Sequence, residues 1–250
     1  MSFKDHFSTH AATYAQARPG YPDALYAWLA AQCARRERAW DAGAGNGQCA
    51  VALAAHFQQV VATEPSAAQV ANAVAHPRVE YRIEAAEEPS LDTASVDLLC
   101  VAQALHWFDL DRFWPAARRV LRPDAVVAVW SYQLSSVDPA VDRVYMQLYE
   151  DVLGAYWPPE RSHILDAYAR LPFPFVALPA PHFEMRCAWT LAQYLDYLRS
   201  WSATARYRAA RGTDPVDGIA DAMAAAWGDP LQRRPVTWPL QLRAGRVAPS

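Results

Sequence analysis

The sequence predicts an α/β fold built on a doubly wound, mostly parallel sheet. Three observations carry that prediction. Short apolar runs alternate with helical segments between residues 38 and 130, the rhythm of successive βαβ units. A glycine turn, Asp41-Ala42-Gly43-Ala44-Gly45-Asn46-Gly47, comes directly after the first of these runs. The run Val96-Asp97-Leu98-Leu99-Cys100-Val101-Ala102 is apolar enough to be central in a parallel sheet.

Taken in order, Phe3, Phe7, Ala11, Tyr14 and Ala15 recur at helical spacing and predict a helix over 3–16, broken by Arg18-Pro19-Gly20-Tyr21-Pro22. Asp23 is the expected N-cap of a second helix to 34, with Leu25, Tyr26, Trp28 and Leu29 on its buried side. Residues 38–42 are weak by composition, and the glycine turn at their end marks them as a strand. A helix over 48–57, a strand over 59–64 closed by Pro65, and a helix over 67–75 capped by Ser66 come next. Strands over 79–83, 96–102 and 126–130 complete the rhythm, with a helix over 111–121 ended by Arg122-Pro123. If Asp111 caps that helix, Pro115 is its fourth residue and forfeits no intrahelical bond. Beyond Tyr132 the rhythm stops. Helices are predicted over 139–152, 161–169, 191–201 and 216–227, a strand over 183–187, and a last strand over 236–243 in which Pro239 points to a sheet edge.

A chain of 250 residues, 53% apolar and 20% charged, fits one globular domain with an insertion. Its expected divisions are an N-terminal helical cap (1–34), a ligand-binding core (35–133), a largely helical insertion or lid carrying the sixth strand (134–230), and the last strand with its tail (231–250). The net charge of −3 and the pI near 6.2 lack the basic excess of a nucleic-acid binder. No apolar run is long enough to span a membrane, and Met1–His6 lacks the apolar core of a signal peptide, so a cytoplasmic location is expected. Cys33, Cys49, Cys100 and Cys187 are dispersed with no CxxC pair, which suggests neither a metal site nor a disulfide framework.

Three ligands compete for the glycine turn. A triphosphate-binding loop needs Lys-Ser/Thr after its last glycine, and Gln48-Cys49 stands there. A dinucleotide fingerprint, GxGxxG counted from Gly43, needs a third glycine at Gln48. The third reading is the GxGxG turn with a preceding acid that binds S-adenosyl-L-methionine. That ligand carries an ammonium group, a sulfonium and a ribose but no phosphate, and so calls for individual polar groups. Asp41 sits where a carboxylate could meet the ammonium group, directly or through water, and Glu64, ending the second strand, can accept from both ribose hydroxyls.

At this point the chain resembles the class I S-adenosylmethionine-dependent methyltransferases, in particular the small-molecule group that includes trans-aconitate methyltransferase-like proteins. The marks are Tyr14-Ala15-Gln16-Ala17-Arg18-Pro19-Gly20-Tyr21-Pro22, the Asp41–Gly47 turn, Glu64-Pro65-Ser66, Ala86-Glu87, Ala102-Gln103-Ala104-Leu105-His106-Trp107-Phe108-Asp109 and Arg119-Val120-Leu121-Arg122-Pro123. The resemblance implies a seven-stranded sheet of order 3-2-1-4-5-7-6 with its last strand antiparallel. It implies that the N-terminal helices fold over the cofactor, with Tyr14 and Arg18 near the methionine carboxylate, which a guanidinium can clamp with two bonds. It places Gly43, Gly45, Gly47, Glu64 and Pro65 on the cofactor, Ala86 and Glu87 by the adenine, and Gln103 on the cofactor floor. Two positions depart from the family pattern. Ala85 stands where an acid often binds the adenine amino group, and Asp124-Ala125 replaces a Gly-Gly turn, which should differ locally because Ala disfavours positive φ.

Methyl transfer from a sulfonium is an in-line displacement in which the protein supplies alignment and desolvation. A general base is needed only for an acceptor that must lose a proton; a carboxylate needs none. His106, on the loop after the fourth strand, is the candidate base, with Asp109 close enough in sequence to orient it. Trp107, Trp130, Tyr132 and Trp157 are the expected walls of the acceptor pocket. Arg161 and Arg206 suit an acidic acceptor or a surface salt bridge equally. The expected acceptor is a small molecule methylated on a carboxylate or hydroxyl group, with no nucleic acid or membrane partner and a monomeric or homodimeric state. The competing reading is a protein of the same fold that binds the cofactor without catalysis.

Overall fold

The computed structural model describes residues 19–248. Tyr14, Arg18 and the helix expected over 3–16 lie outside the described residues.

Five parallel strands form the body of the sheet: β1 (Arg38–Ala42), β2 (Gln59–Thr63), β3 (Val79–Arg82), β4 (Val96–Ala102) and β5 (Leu121–Tyr132). They lie in the order 3-2-1-4-5, and β8 (Arg234–Arg246) runs antiparallel beside β5, with β6 (Val176–Leu178) on its far side. The observed order, 3-2-1-4-5-8-6, is the expected one with an added strand, β7 (Glu184–Trp189), off the main path. The segment expected as the sixth strand is this β7, which pairs only with the first half of β8, from Glu184 opposite Pro239 to Trp189 opposite Arg234. Its place in the main sheet goes to β6, which pairs with Ala244–Arg246. Three mostly exposed residues behind Leu171-Pro172-Phe173-Pro174-Phe175 carry no alternation, so only pairing with β8 makes them a strand.

Pro239 is not at a sheet edge. Thr237, two residues earlier and facing the same way, donates to the Ser136 carbonyl, and β5 ends with Tyr132 opposite Leu240. The nitrogen of Pro239 therefore faces the gap where residues 133–135 leave the ladder, and no sheet bond is forfeited there.

The helices wrap both faces. α1 (Asp23–Gln32) begins after an extended Pro22, and Asp23 is its first residue, not its cap; the acid sits where the helix dipole is positive. α2 (Gln48–Leu53) and α3 (Ala67–Ala71) are shorter than expected, and Ser66 caps α3 by accepting from the Gln69 N–H. α4 (Leu110–Val120) has Asp109 as its N-cap, two residues before the expected cap, so Pro115 is its sixth residue and the bond to the Asp111 carbonyl is lost. Beyond it the chain passes straight into β5. Asp124, not Ala125, takes the left-handed conformation (φ +64°), which Asp tolerates better.

α5 (Pro139–Gln147) is capped by Asp138 and runs on as one π-turn segment through Val152. α6 (Arg161–Leu165) stops short because Ala167 and Tyr168 both adopt positive φ. α7 (Leu191–Arg199) opens with a Thr190–Gln193 capping box, α8 (Ser202–Arg211) is a helix the sequence reading did not foresee, and α9 (Ala220–Trp227) ends on Gly228. One face of the sheet buries Leu25, Leu29, Phe57, Trp130, Tyr194 and Trp238; the other buries Trp40, Phe113, Val127, Val129 and Tyr168.

Candidate active site

The site lies at the carboxyl ends of β1, β2, β4 and β5, where open α/β sheets place their ligands. Its floor is the glycine turn, and all three glycines have positive φ: +71° at Gly43, +56° at Gly45 and +84° at Gly47. Each answers a different need. A Cβ on Gly43 would stand 2.8 Å from the Cβ of Ala104, and one on Gly47 would collide with the Tyr81 hydroxyl, so these two keep the turn close to the β4 loop and β3. At Gly45 nothing among the described residues lies within 4 Å of that position, so backbone there is open to a ligand.

Glu64 shapes the turn. One carboxylate oxygen accepts from the Gly45 N–H at 2.9 Å and the other from the Ser66 N–H at 3.0 Å. The Gly43 and Ala44 N–H groups both donate to the Thr63 carbonyl, which fastens the turn to β2. Asp41 lies beneath, fully buried, and neither carboxylate oxygen has a hydrogen bond of ordinary geometry among the described residues. Burial pushes its pKa up to about 7; the nearby Cys49 thiol and Ala50 N–H pull it partway back, and the Glu64 charge raises it. A buried acid without a partner is costly unless a ligand supplies one. The residues present fit S-adenosyl-L-methionine: an ammonium group would satisfy Asp41, and the opening at Gly45 would admit a nucleoside to the backbone.

The other expected donor-site residues surround this turn. Gln103 is left-handed (φ +56°), and its amide brackets the Tyr132 backbone, accepting from its N–H at 2.8 Å and donating to its carbonyl at 3.4 Å. It joins the ends of β4 and β5. Ala86 is buried, and Glu87 accepts from the Asp109 N–H at 2.8 Å, which fixes the start of α4. Pro65 is half-buried after Glu64.

Of the residues expected on the acceptor side, His106 sits in a single 3-10 turn, Leu105–Trp107, against which α6 packs. Asp109 does not orient it, being the N-cap residue of α4 with its N–H turned to Glu87. Tyr168 does: its hydroxyl is 3.0 Å from His106 Nδ1. Enclosure pushes the His106 pKa down to about 3, with the positive charges of His163 and Arg161 adding to the effect. The imidazole is therefore neutral at physiological pH and a weak base. Trp107 lies at 4.6 Å from the His106 ring.

Trp157 stacks near Tyr149 (4.8 Å) and Trp201 (5.5 Å), and the Arg161 guanidinium lies over Trp157 at 4.2 Å and over Tyr149 at 5.2 Å. Arg161 Nε donates to the Tyr149 hydroxyl at 2.9 Å, and Arg161 forms no salt bridge among the described residues. Trp130 is wholly buried, edge-on to Tyr21 at 5.4 Å, and Tyr132 is 7% exposed; in the described structure both are core residues beneath the site and not its walls. The strand alternation that buries Trp130 on the α1 face decides this. Tyr149 and Tyr168 were missed by sequence reading. Each lies in a segment with no motif, and only folding brings it to the site.

A doubly wound sheet that ends in an antiparallel strand, with a left-handed glycine turn over a buried acid, defines a Rossmann-like methyltransferase architecture. A methyltransferase-domain family profile matches residues 40–129. A protein of Dictyostelium discoideum named as a methyltransferase is 35% identical over 229 residues, 90% of this chain and 87% of that one. A Saccharomyces cerevisiae protein assigned as an S-adenosylmethionine-dependent methyltransferase is 26% identical over 227 residues, covering 76% of this chain and 78% of its own. A solved structure from Anaeromyxobacter dehalogenans, assigned as a type II methyltransferase, superposes with a TM-score of 0.88 at 48% identity, over 93% of this chain and 99% of that one. The chain belongs to the class I S-adenosyl-L-methionine-dependent methyltransferases, and its cofactor is S-adenosyl-L-methionine.

Proposed function

We propose that the enzyme methylates a small anionic acceptor, a carboxylate before a hydroxyl, in keeping with the trans-aconitate methyltransferase-like group. Arg161 is the observation that carries this reading. Its guanidinium lies over the Trp157 and Tyr149 rings and is held by the Nε bond to the Tyr149 hydroxyl, beside the His106 turn, with no acidic partner among the described residues. A planar, pre-oriented guanidinium suits a carboxylate. The weak basicity of His106 points the same way, because an acceptor that is already anionic requires no base.

In this reading Asp41 takes the ammonium group of the methyl donor, Glu64 the ribose hydroxyls, and the turn at Gly43, Gly45 and Gly47 the nucleoside edge; Pro65, Ala86, Glu87 and Gln103 frame the cofactor, with Tyr14 and Arg18 at its carboxylate. Trp107 and Trp157 line the acceptor side, and residues 134–230 cover it within one domain spanning 1–250. Calorimetry with S-adenosylhomocysteine and a turnover assay on a panel of small carboxylic acids, phenols and alcohols test the proposal. Binding, together with a mass gain of one CH2 unit on a carboxylic acid, supports it. Turnover of neutral hydroxyl compounds alone overturns the acceptor class, and silence across the panel with the donor bound favours a non-catalytic binding role.

A further inference from the structure

The segment after α6 contains two successive residues, Ala167 (φ +55°) and Tyr168 (φ +60°), in the left-handed region. Neither is a residue that visits it readily, and each such conformation is strained. The segment is held by tertiary contacts. Arg243, from β8, donates to the Tyr168 carbonyl and, at 2.9 Å, to the Leu171 carbonyl, while its guanidinium lies 4.9 Å from the Phe173 ring centre. Arg243 forms no salt bridge among the described residues, so its role here is to hold backbone. The outcome of this arrangement is a fully buried Tyr168 whose hydroxyl reaches one atom of the site, His106 Nδ1.

The geometry points to Tyr168 as a positioning residue: its hydroxyl donates to His106 Nδ1 and holds the imidazole in the tautomer that carries its proton on Nε2. This rests on His106 being an acceptor-side group. Two facts of chemistry set the direction of the bond. A phenol is a good donor and a poor acceptor, whereas the unprotonated nitrogen of imidazole is a good acceptor. Burial also raises the Tyr168 pKa, so its proton stays on oxygen, while His106 is neutral. The groups that face the imidazole are the Tyr168 hydroxyl, the Trp107 ring and the charges of Arg161 and His163, with no carboxylate among those that shift its pKa. Nothing there favours taking up a proton.

His106 then serves as a hydrogen-bond donor through Nε2. A carboxylate acceptor forms its new C–O bond to the methyl carbon as the C–S bond breaks and leaves its electron pair on sulfur; no proton changes place. A donor at Nε2, together with the Arg161 guanidinium, fixes the acceptor oxygen that does not attack. The cost of the left-handed pair is a reason to expect a functional role for Tyr168, since strain of this kind persists where surrounding structure over-determines it.

Nitrogen-15 NMR of the imidazole in the full chain with S-adenosylhomocysteine tests the tautomer, read in the wild type and in Tyr168→Phe together. The expected result is an Nε2–H imidazole at neutral pH; an Nδ1–H imidazole or an imidazolium overturns the proposal. In Tyr168→Phe the Nε2–H preference should weaken, with kcat falling about tenfold and the S-adenosylhomocysteine affinity unchanged. An unaltered tautomer in that variant overturns the proposal as well. On a carboxylic acid substrate, His106→Gln, whose amide can donate from near the Nε2 position, should retain most of the turnover that His106→Ala loses. Full activity in His106→Ala would overturn the placing of His106 at the acceptor and leave the Tyr168 tautomer result standing, so the two failures are distinguishable.

Discussion

The proposed donor and acceptor halves of the site are made from different parts of the polypeptide. Backbone builds most of the donor half: three left-handed glycines, the Thr63 carbonyl, the Gly45 and Ser66 N–H groups, and two acids that organise or face them. Side chains of distant segments build the acceptor half: His106 from the β4 loop, Arg161 and Tyr168 from around α6, Tyr149 and Trp157 from the insertion. In each half burial pushes one titratable group toward its neutral form. Asp41 is a buried acid with its pKa raised, and His106 is an enclosed base with its pKa lowered. A local, backbone-built site tolerates little change in sequence. A site assembled from side chains can change its ligand by changing a few of them.

The sharpest way to break the contrast is Asp41→Asn. Removing the charge that faces the ammonium group should weaken S-adenosylhomocysteine binding by about 2–3 kcal/mol, roughly 30- to 150-fold, in calorimetry. Equal affinity would remove Asp41 from the donor site. Gly47→Ala comes next. It forces a left-handed alanine and puts a Cβ on the Tyr81 hydroxyl, so the melting temperature should fall by about 4–8 °C. On the acceptor side, Arg161→Met keeps much of the stacking volume and removes the charge. It should raise the KM of a carboxylic acid substrate about tenfold and leave the donor affinity alone; a KM that does not move would argue against the anionic acceptor.

Stability against pH sharpens the comparison further. The folded-state pKa of Asp41, about 7, is above its ordinary 3.8, so its contribution is present at acid pH and is lost as pH rises through about 7. For His106 the folded value of about 3 is below the ordinary 6.5, so its contribution is present above that value and is lost as pH falls through about 3. Melting curves of the ligand-free protein should show the first slope flattened in Asp41→Asn and the second in His106→Gln. Neither change in slope would mean that these groups titrate normally in the fold. The smallest effect is expected at Pro115, exposed on α4. Pro115→Ala restores the bond to the Asp111 carbonyl and should stabilise by about 1 kcal/mol in denaturant unfolding, with no change in activity.

Much of the donor half was legible because its signals are local. The bounds of β1 and β4 agree with the sequence reading, and Ser66 caps α3 as its residue type suggests. Where the reading failed, tertiary contacts overrode local preference. Nothing in Ala167-Tyr168 announces a left-handed pair; Arg243, some 70 positions later in the chain, holds it. Trp130 looks like a pocket wall from its place at a strand end, but strand alternation turns it into the core against Tyr21 and Tyr26. Asp109 is near His106 in sequence, yet the start of α4 claims it.

By itself, the sequence determined the βαβ rhythm, the glycine turn with its acids, and with them the identity of the methyl donor. These depend on residue types at fixed short spacing, where φ preference, capping and charge act within a few residues. Tertiary structure alone decided that β6 joins the sheet, that Arg161 lies against Trp157 and Tyr149, and that Tyr168 reaches His106. Those contacts close long loops, and their energy exists only once the sheet has brought the segments together.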